Sequence, residues 1–180
     1  MVSLDGYHEG PNHDLDWHNV DAEFNDFAAA QLDEADTLIF GRHTYELMAG
    51  FWPTERARAT DSVVAGKMNA TPKLVVSNTI KSAGWAGTTV LGADFVAELR
   101  KRKAAPGKSL AILGSSNLCV SLLEAGLIDD VRLMYNPVLL GRGRPVFAGL
   151  TPAVKLELTA TRSFKSGNVL HHYRPINSAT

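Results

Sequence analysis

The spacing of apolar positions changes period along the chain. Over Asp21 to Asp33, Phe24, Phe27, Ala28 and Leu32 recur at helical spacing, and Asn19 and Asp21 precede them as start signals, which predicts a helix. Thr37 to Phe40, Lys73 to Ser77 and Ser109 to Leu113 are short apolar runs closed by glycine or small polar residues, so each reads as a buried strand. Between the last two, Phe95, Val96 and Leu99 share a helical face. Its final turn, Arg100 to Lys103, is basic and suits the negative end of the helix dipole, so that run is read as a solvated helix end. Leu118, Cys119, Leu122 and Leu123 predict a further helix, with Ser116 or Asn117 as cap and Gly126 as terminator. Val131, Leu133 and Tyr135 then alternate with Arg132, Met134 and Asn136 before Pro137 stops the run. Val154, Leu156 and Leu158 alternate likewise, and a last strand over Asn168 to Arg174 follows the turn at Lys165 to Gly167, predicting an antiparallel hairpin. Thr54 to Thr71 shows no clear period and reads as a surface excursion. Helices and strands alternate first and strands follow alone, which predicts an α/β fold: a three-layer α/β/α mixed sheet with antiparallel C-terminal strands.

Composition narrows the possibilities. A length of 180 residues, 45% of them hydrophobic and 21% charged, suits a single domain over 1–180 with a sizeable core. A net charge of −1 provides no basic field for nucleic acid or an anionic membrane, so any bound anion must be held locally. The single Cys119 excludes an internal disulfide, no apolar run approaches the roughly 20 residues a bilayer requires, and no signal pattern opens the chain. A cytoplasmic protein is the expectation. His8, His13 and His18 lie among Gly, Pro and Asp without the spacing of a metal site, so no metal is expected. His171 and His172 are adjacent in a strand and point to opposite faces.

Three predicted strands end in turns suited to phosphate. Gly41-Arg42-His43-Thr44 offers close backbone approach, a guanidinium and a hydroxyl at a helix start; Ser77-Asn78-Thr79 offers three hydrogen-bonding side chains; Gly114-Ser115-Ser116-Asn117 offers a glycine, hydroxyls and N–H groups. Each alone is compatible with an ordinary capped helix or turn. Together, after successive strands, they point to a phosphorylated cofactor across the sheet edge. No G-x-G-x-x-G lies between a strand and a helix, and no G-x-S-x-G occurs.

Six segments carry a family resemblance: "SLDGY" (Ser3 to Tyr7), "DLDW" (Asp14 to Trp17), "FGRHTYE" (Phe40 to Glu46), "VVSNT" (Val75 to Thr79), "LGSSNL" (Leu113 to Leu118) and "GLIDDVRLMYNPVLLGRGRPVF" (Gly126 to Phe147). In order and spacing the chain resembles stand-alone relatives of the reductase domain of the riboflavin-biosynthesis deaminase-reductase, within the dihydrofolate-reductase-like superfamily. The resemblance implies an NADPH-binding reductase fold, often homodimeric. It implies that Arg42 and Thr44 hold cofactor phosphates, that Ser77 and Asn78 lie near the adenosine 2′-phosphate, and that Gly114, Ser115, Ser116 and Asn117 cradle the diphosphate. Two departures stand out. "YELMAGFWPTERAR" lacks the acidic-proline stretch and arginine that serve the pyrimidine phosphate in the riboflavin enzymes, and the chain opens two residues ahead of Ser3, so the expectation is either a first strand cut short or a start that lies upstream.

A reductase on this plan takes its hydride from NADPH and must orient the acceptor and supply a proton. Asp5 in the first loop and Glu23 and Asp26 on the first helix are the candidate catalytic carboxylates, each set against a solvated-surface reading. Trp17, Phe51 and Trp52 could wall a flat substrate, or could equally be core. The expected activity is reduction of a small heteroaromatic molecule, pyrimidine-like or pterin-like, with the 5-amino-6-(5-phosphoribosylamino)uracil reductase reaction as one form. The alternative is a non-catalytic dimeric protein that binds a nucleotide or flavin on the same fold.

Overall fold

A computed structural model describes residues 1–176. In chain order the elements are β1 (Val2–Ser3), β2 (Tyr7–Glu9), α1 (Ala22–Asp33), β3 (Ala35–Gly41), α2 (Arg42–Phe51), α3 (Glu55–Thr60), α4 (Ser62–Ala70) and β4 (Lys73–Val76). They continue with β5 (Thr88–Leu91), α5 (Phe95–Lys103), β6 (Ser109–Ile112), α6 (Ser116–Glu124), β7 (Val131–Asn136), β8 (Arg144–Pro145), β9 (Leu156–Ser163) and β10 (Val169–Pro175). The described residues fall into two compact units, one of Phe24–Leu118 and the other of Met1–Glu23 with residues 119–176.

The Phe24–Leu118 unit is built on a parallel sheet of order β5-β4-β3-β6. Its central strand explains the continuous apolar run read from the sequence: Leu38 and Phe40 are fully buried and Ile39 nearly so, as a strand covered on both faces requires. Leu38, Phe40 and Val75 meet Tyr45 of α2, Val64 and Met68 of α4, and Trp85 in one apolar cluster.

Residues 54–71 are not a surface excursion. They form two short helices that carry part of this core, with Ala57 and Ala65 fully buried and Met68 nearly so. Thr54 caps α3 by accepting from the Ala57 N–H, and Asp61 caps α4 by accepting from Val63 and Val64. The apolar period was hidden because alanines carry much of the buried face and a cap interrupts it after six residues. The edge strand β5 also escaped sequence reading: its two threonines dilute the pattern and only Leu91 is buried.

The second unit contains a sheet of order β1-β7-β10-β9 and a small pair, β2 with β8. The expected antiparallel hairpin is β9 and β10, although β9 runs later than the Val154 to Leu158 alternation suggested. The stub β1 pairs in parallel with Tyr135 and Asn136. α6 ends as predicted at Gly126, whose φ of 66° permits a paired closure: Gly126 N–H donates to Leu123 O at 3.0 Å and Leu127 N–H to Leu122 O at 2.9 Å. Cys119 is half-buried on α6, not a fully buried core residue, and desolvation pushes its thiol up to about 11.

The buried role of α4 gives a direct test. Met68→Ala should lower the unfolding free energy by about 2–4 kcal/mol, whereas Val63→Ala on the exposed side of the same helix should change it by no more than about 0.5 kcal/mol, both measured by urea denaturation.

Candidate functional site

Because the Phe24–Leu118 sheet is parallel, its strands end on one edge, at Gly41, Val76, Leu91 and Ile112. The chain builds outward from β3 to β4 and β5, then places β6 on the other side of β3. The turns after β3 and β6 therefore flank the point where strand order reverses, the crevice in which open α/β sheets hold ligands.

Those two turns are locked together. The Ser115 hydroxyl accepts from the Gly41 N–H at 2.9 Å, and the Thr44 hydroxyl accepts from the Ser115 N–H at 3.1 Å. Gly114 and Ser115 both take positive φ, 67° and 43°, and a Cβ added at Gly114 would stand 3.2 Å from the Thr44 methyl. Glycine is required there by conformation and by space. Thr44 and Ser115 thus brace the crevice through their hydroxyls. Ser116 opens α6 as a buried residue, with Asn117 exposed beside it.

Arg42, Ser77 and Asn78 come together as the sequence suggests. With Thr79, Gly92 and Phe95 they line a cleft of about 470 Å³ on the same edge. α2 begins at Arg42 with Gly41 as its cap residue and no side-chain cap bond, an arrangement suited to an anion. The Arg42 guanidinium reaches both Glu46 carboxylate oxygens at 3.2 Å and His43 Nε2 at 2.7 Å. The Ser77 hydroxyl is turned to its own backbone, accepting from Thr79 at 3.1 Å and Ile80 at 3.0 Å, while Asn78 is exposed. Gly92 and Phe95 were missed in the sequence; the signal was the "LGADF" turn after β5, legible only once β5 is recognised. A larger hollow of about 630 Å³ opens at the opposite edge near Asp36, Thr71 and Lys108. Asp36 there accepts from the Lys108 N–H and Lys108 Nζ donates to Asp33 O, so its charged groups are already committed.

Of the three carboxylates, Asp5 lies in the loop after β1, and Glu23 and Asp26 stand three residues apart on α1. Asp26 is exposed on α1, the helix that leads into β3. Asp5 and Glu23 belong to the other unit. Asp5 accepts from the Ser3 hydroxyl at 2.7 Å, from Gly141 N–H at 2.7 Å and from Leu140 N–H at 3.2 Å, and these bonds hold its pKa below the usual value. Glu23 accepts from Lys165 N–H at 2.9 Å and from Arg162 at 3.1 Å, with the same consequence. A depressed pKa does not suit a proton donor at neutral pH. In the same unit His18 is pushed down to about 4 by burial, which keeps it neutral.

One unit built on a parallel sheet with its polar turns gathered at one edge, and another built on a mixed sheet ending in an antiparallel hairpin, make up a dihydrofolate-reductase-like α/β fold. The chain belongs to the RibD C-terminal domain family, which it matches over residues 1–170. It is 30% identical over 176 residues to YyaP of Bacillus subtilis (strain 168), an uncharacterized protein, covering 96% of this chain and 91% of that one. Its fold is similar to that of a putative riboflavin biosynthesis protein from Shewanella sp. PV-4, with a TM-score of 0.72 at 22% identity, covering 98% and 96% of the two chains. It is similar also to dihydrofolate reductase from Enterococcus faecalis complexed with NADP(H), with a TM-score of 0.65 at 18% identity, covering 98% and 93%.

The Asp5 clamp has a pH signature. Its folded pKa lies below the unfolded one, so its contribution is present above the ordinary carboxylate range and is lost as pH falls through the folded value. Asp5→Asn should therefore lower the melting temperature at pH 7, and the gap from wild type should shrink progressively toward pH 3 in a thermal melt series.

Proposed function

We propose that the carboxyl edge of the parallel sheet binds NADPH and that the chain is an NADPH-dependent reductase of a small heteroaromatic acceptor, pyrimidine-like or pterin-like. The observation that carries this reading is the convergence of Arg42, Ser77 and Asn78 on one cleft beside the side-chain-uncapped start of α2. The residues present fit such a cofactor: Arg42 and the Asn78 amide suit phosphate oxygens, and Gly114, where a Cβ would press on Thr44, lets the turn after β6 close against the first turn of α2. When bound, NADPH supplies the hydride. The chain's part is to orient and to exclude water. Thr44 and Ser115 fix the crevice, and Asp26, on the first turns of α1, is the carboxylate we assign to orienting the acceptor. The riboflavin-pathway pyrimidine belongs among the acceptors to be tried, although "YELMAGFWPTERAR" lacks the family's phosphate-binding pattern.

The engagement of Asp5 and Glu23 by structural donors favours one second reading, a protein that binds the nucleotide without turnover. A thermal melt separates ligands before any turnover assay. A ligand at a hundredfold excess over its Kd stabilises by about 2.7 kcal/mol, several degrees in Tm. NADPH should give the largest shift, NADH a smaller one, and FMN and FAD little; a flavin shift exceeding that of NADPH would overturn the cofactor. Arg42→Ala should weaken NADPH binding by about 1.5–3 kcal/mol without loss of fold, read by titration. NADPH oxidation with dihydrofolate, pterins or the pyrimidine then decides between reductase and binding protein.

We also propose a homodimer. β9 is exposed along nearly its whole length at one end of its sheet, with Leu158 53% exposed, and a second copy is the natural cover for such an edge. Light scattering at micromolar concentration should give twice the chain mass, and a monomeric mass would refute it.

A further inference from the structure

Lys73, the first residue of β4, is a charged side chain with only 1% of its surface exposed. Its ammonium donates to Thr71 O at 2.6 Å, Asn69 O at 3.0 Å and Ala86 O at 3.4 Å, and it stands 4.5 Å from the centre of the Trp85 ring. Three carbonyls and an aromatic face form a complete cage for a buried cation, which without such partners would be strongly destabilising. The cage opposes the burial that pushes Lys73 down to about 8.

What the cage holds is the connection between β4 and β5. Parallel neighbours are usually joined through a helix, yet residues 77–87 contain neither helix nor strand. Trp85 takes the place of that helix in the core, 6.0 Å from the Phe40 ring and 6.3 Å from the Tyr45 ring. Its indole N–H donates to Asn69 Oδ1 at 2.8 Å and its backbone N–H to the Tyr45 hydroxyl at 3.1 Å. The segment is pinned at its exit by Lys73 N–H to Gly87 O at 2.8 Å and at its entry by the Ser77 hydroxyl, with Lys81, Ser82 and Gly84 exposed between. Trp85 therefore joins the segment that opens with Ser77, Asn78 and Thr79 to the helix that opens with Arg42.

We propose that Lys73 is a positioning residue for cofactor selection: its caged ammonium fixes Trp85, and Trp85 fixes the two turns that present Arg42 and Asn78 to a phosphate. This rests on the NADPH reading. Lys73→Met keeps the length of the side chain, removes the cation beneath the ring and leaves three carbonyls without their donor. Arginine is not a conservative replacement here, since a planar fork does not match the cage.

The test pairs two readouts on the full chain. In Lys73→Met, hydrogen exchange should rise in 77–87 and in the first turn of α2 above the rise elsewhere in the Phe24–Leu118 unit, and the ratio of NADPH to NADH affinity should fall at least threefold. A merely structural role would weaken both nucleotides alike, so an unchanged ratio overturns the proposal whatever the exchange shows. Should Lys73→Met fail to fold, Trp85→Phe, which keeps the ring face but loses the N–H to Asn69, should shift the ratio in the same direction, and no shift there overturns it equally. If the wild-type chain binds neither nucleotide, the cofactor reading fails and selection by Lys73 fails with it. Exchange in 77–87 then still reports whether Lys73 holds the segment.

Discussion

A parallel strand buried on both faces has nowhere to put polar chemistry except at its ends. β3 is such a strand, lying between β4 and β6 with Leu38 and Phe40 fully buried. Parallel pairing brings its neighbours' ends to the same edge, so Arg42, the Ser77 turn and the Gly114 turn are gathered by backbone direction before any side-chain contact is considered. The core of this unit and the composition of its cleft are two results of one constraint.

The edge is held rigid by local interactions of modest size. Ser115 occupies a left-handed backbone conformation that costs a non-glycine residue roughly 1–2 kcal/mol. Its hydroxyl bond to Gly41 and its N–H bond to Thr44 offset that cost and tie two turns far apart in sequence. Gly114 makes the close approach possible, because a Cβ there would press on Thr44. The result is a crevice whose walls are set in advance, so ordering them does not draw on binding energy.

How much of this could be read from the sequence depended on whether the signal was local. β3 and β4 were legible because a strand buried on both faces writes an unbroken apolar run, β6 because its short apolar run is closed by Gly114, and the stop of α6 because Gly126 is required by its closure. α3 and α4 were not, since alanines bury a face without an obvious period; β5 was not, since an edge strand with two threonines resembles a loop. Among site residues the turns were legible and the duties were not. A serine after a strand reads alike whether its hydroxyl faces a ligand or, as for Ser77, its own backbone. Asp5 and Glu23 are committed to donors more than a hundred positions away, at Gly141 and Lys165, which no local pattern announces.

Arg42 sharpens the electrostatic picture. It is not a bare cation awaiting an anion, because Glu46 one turn along the helix shares its charge. Both partners are well exposed, so this pair contributes only about 0.2–0.5 kcal/mol, far less than a charge-assisted bidentate contact to phosphate supplies. A phosphate can displace Glu46 at little cost, while weaker anions gain little by doing so. With a chain of net charge −1, affinity for a phosphorylated ligand cannot come from a broad positive field. In the proposed NADPH reading it comes from a few donors aimed at one place: the guanidinium, the start of α2 and the turn after β4. On that reading, discrimination between phosphorylated and unphosphorylated forms of one nucleotide would follow from how firmly those donors are held, and the packing beneath them would be part of the specificity.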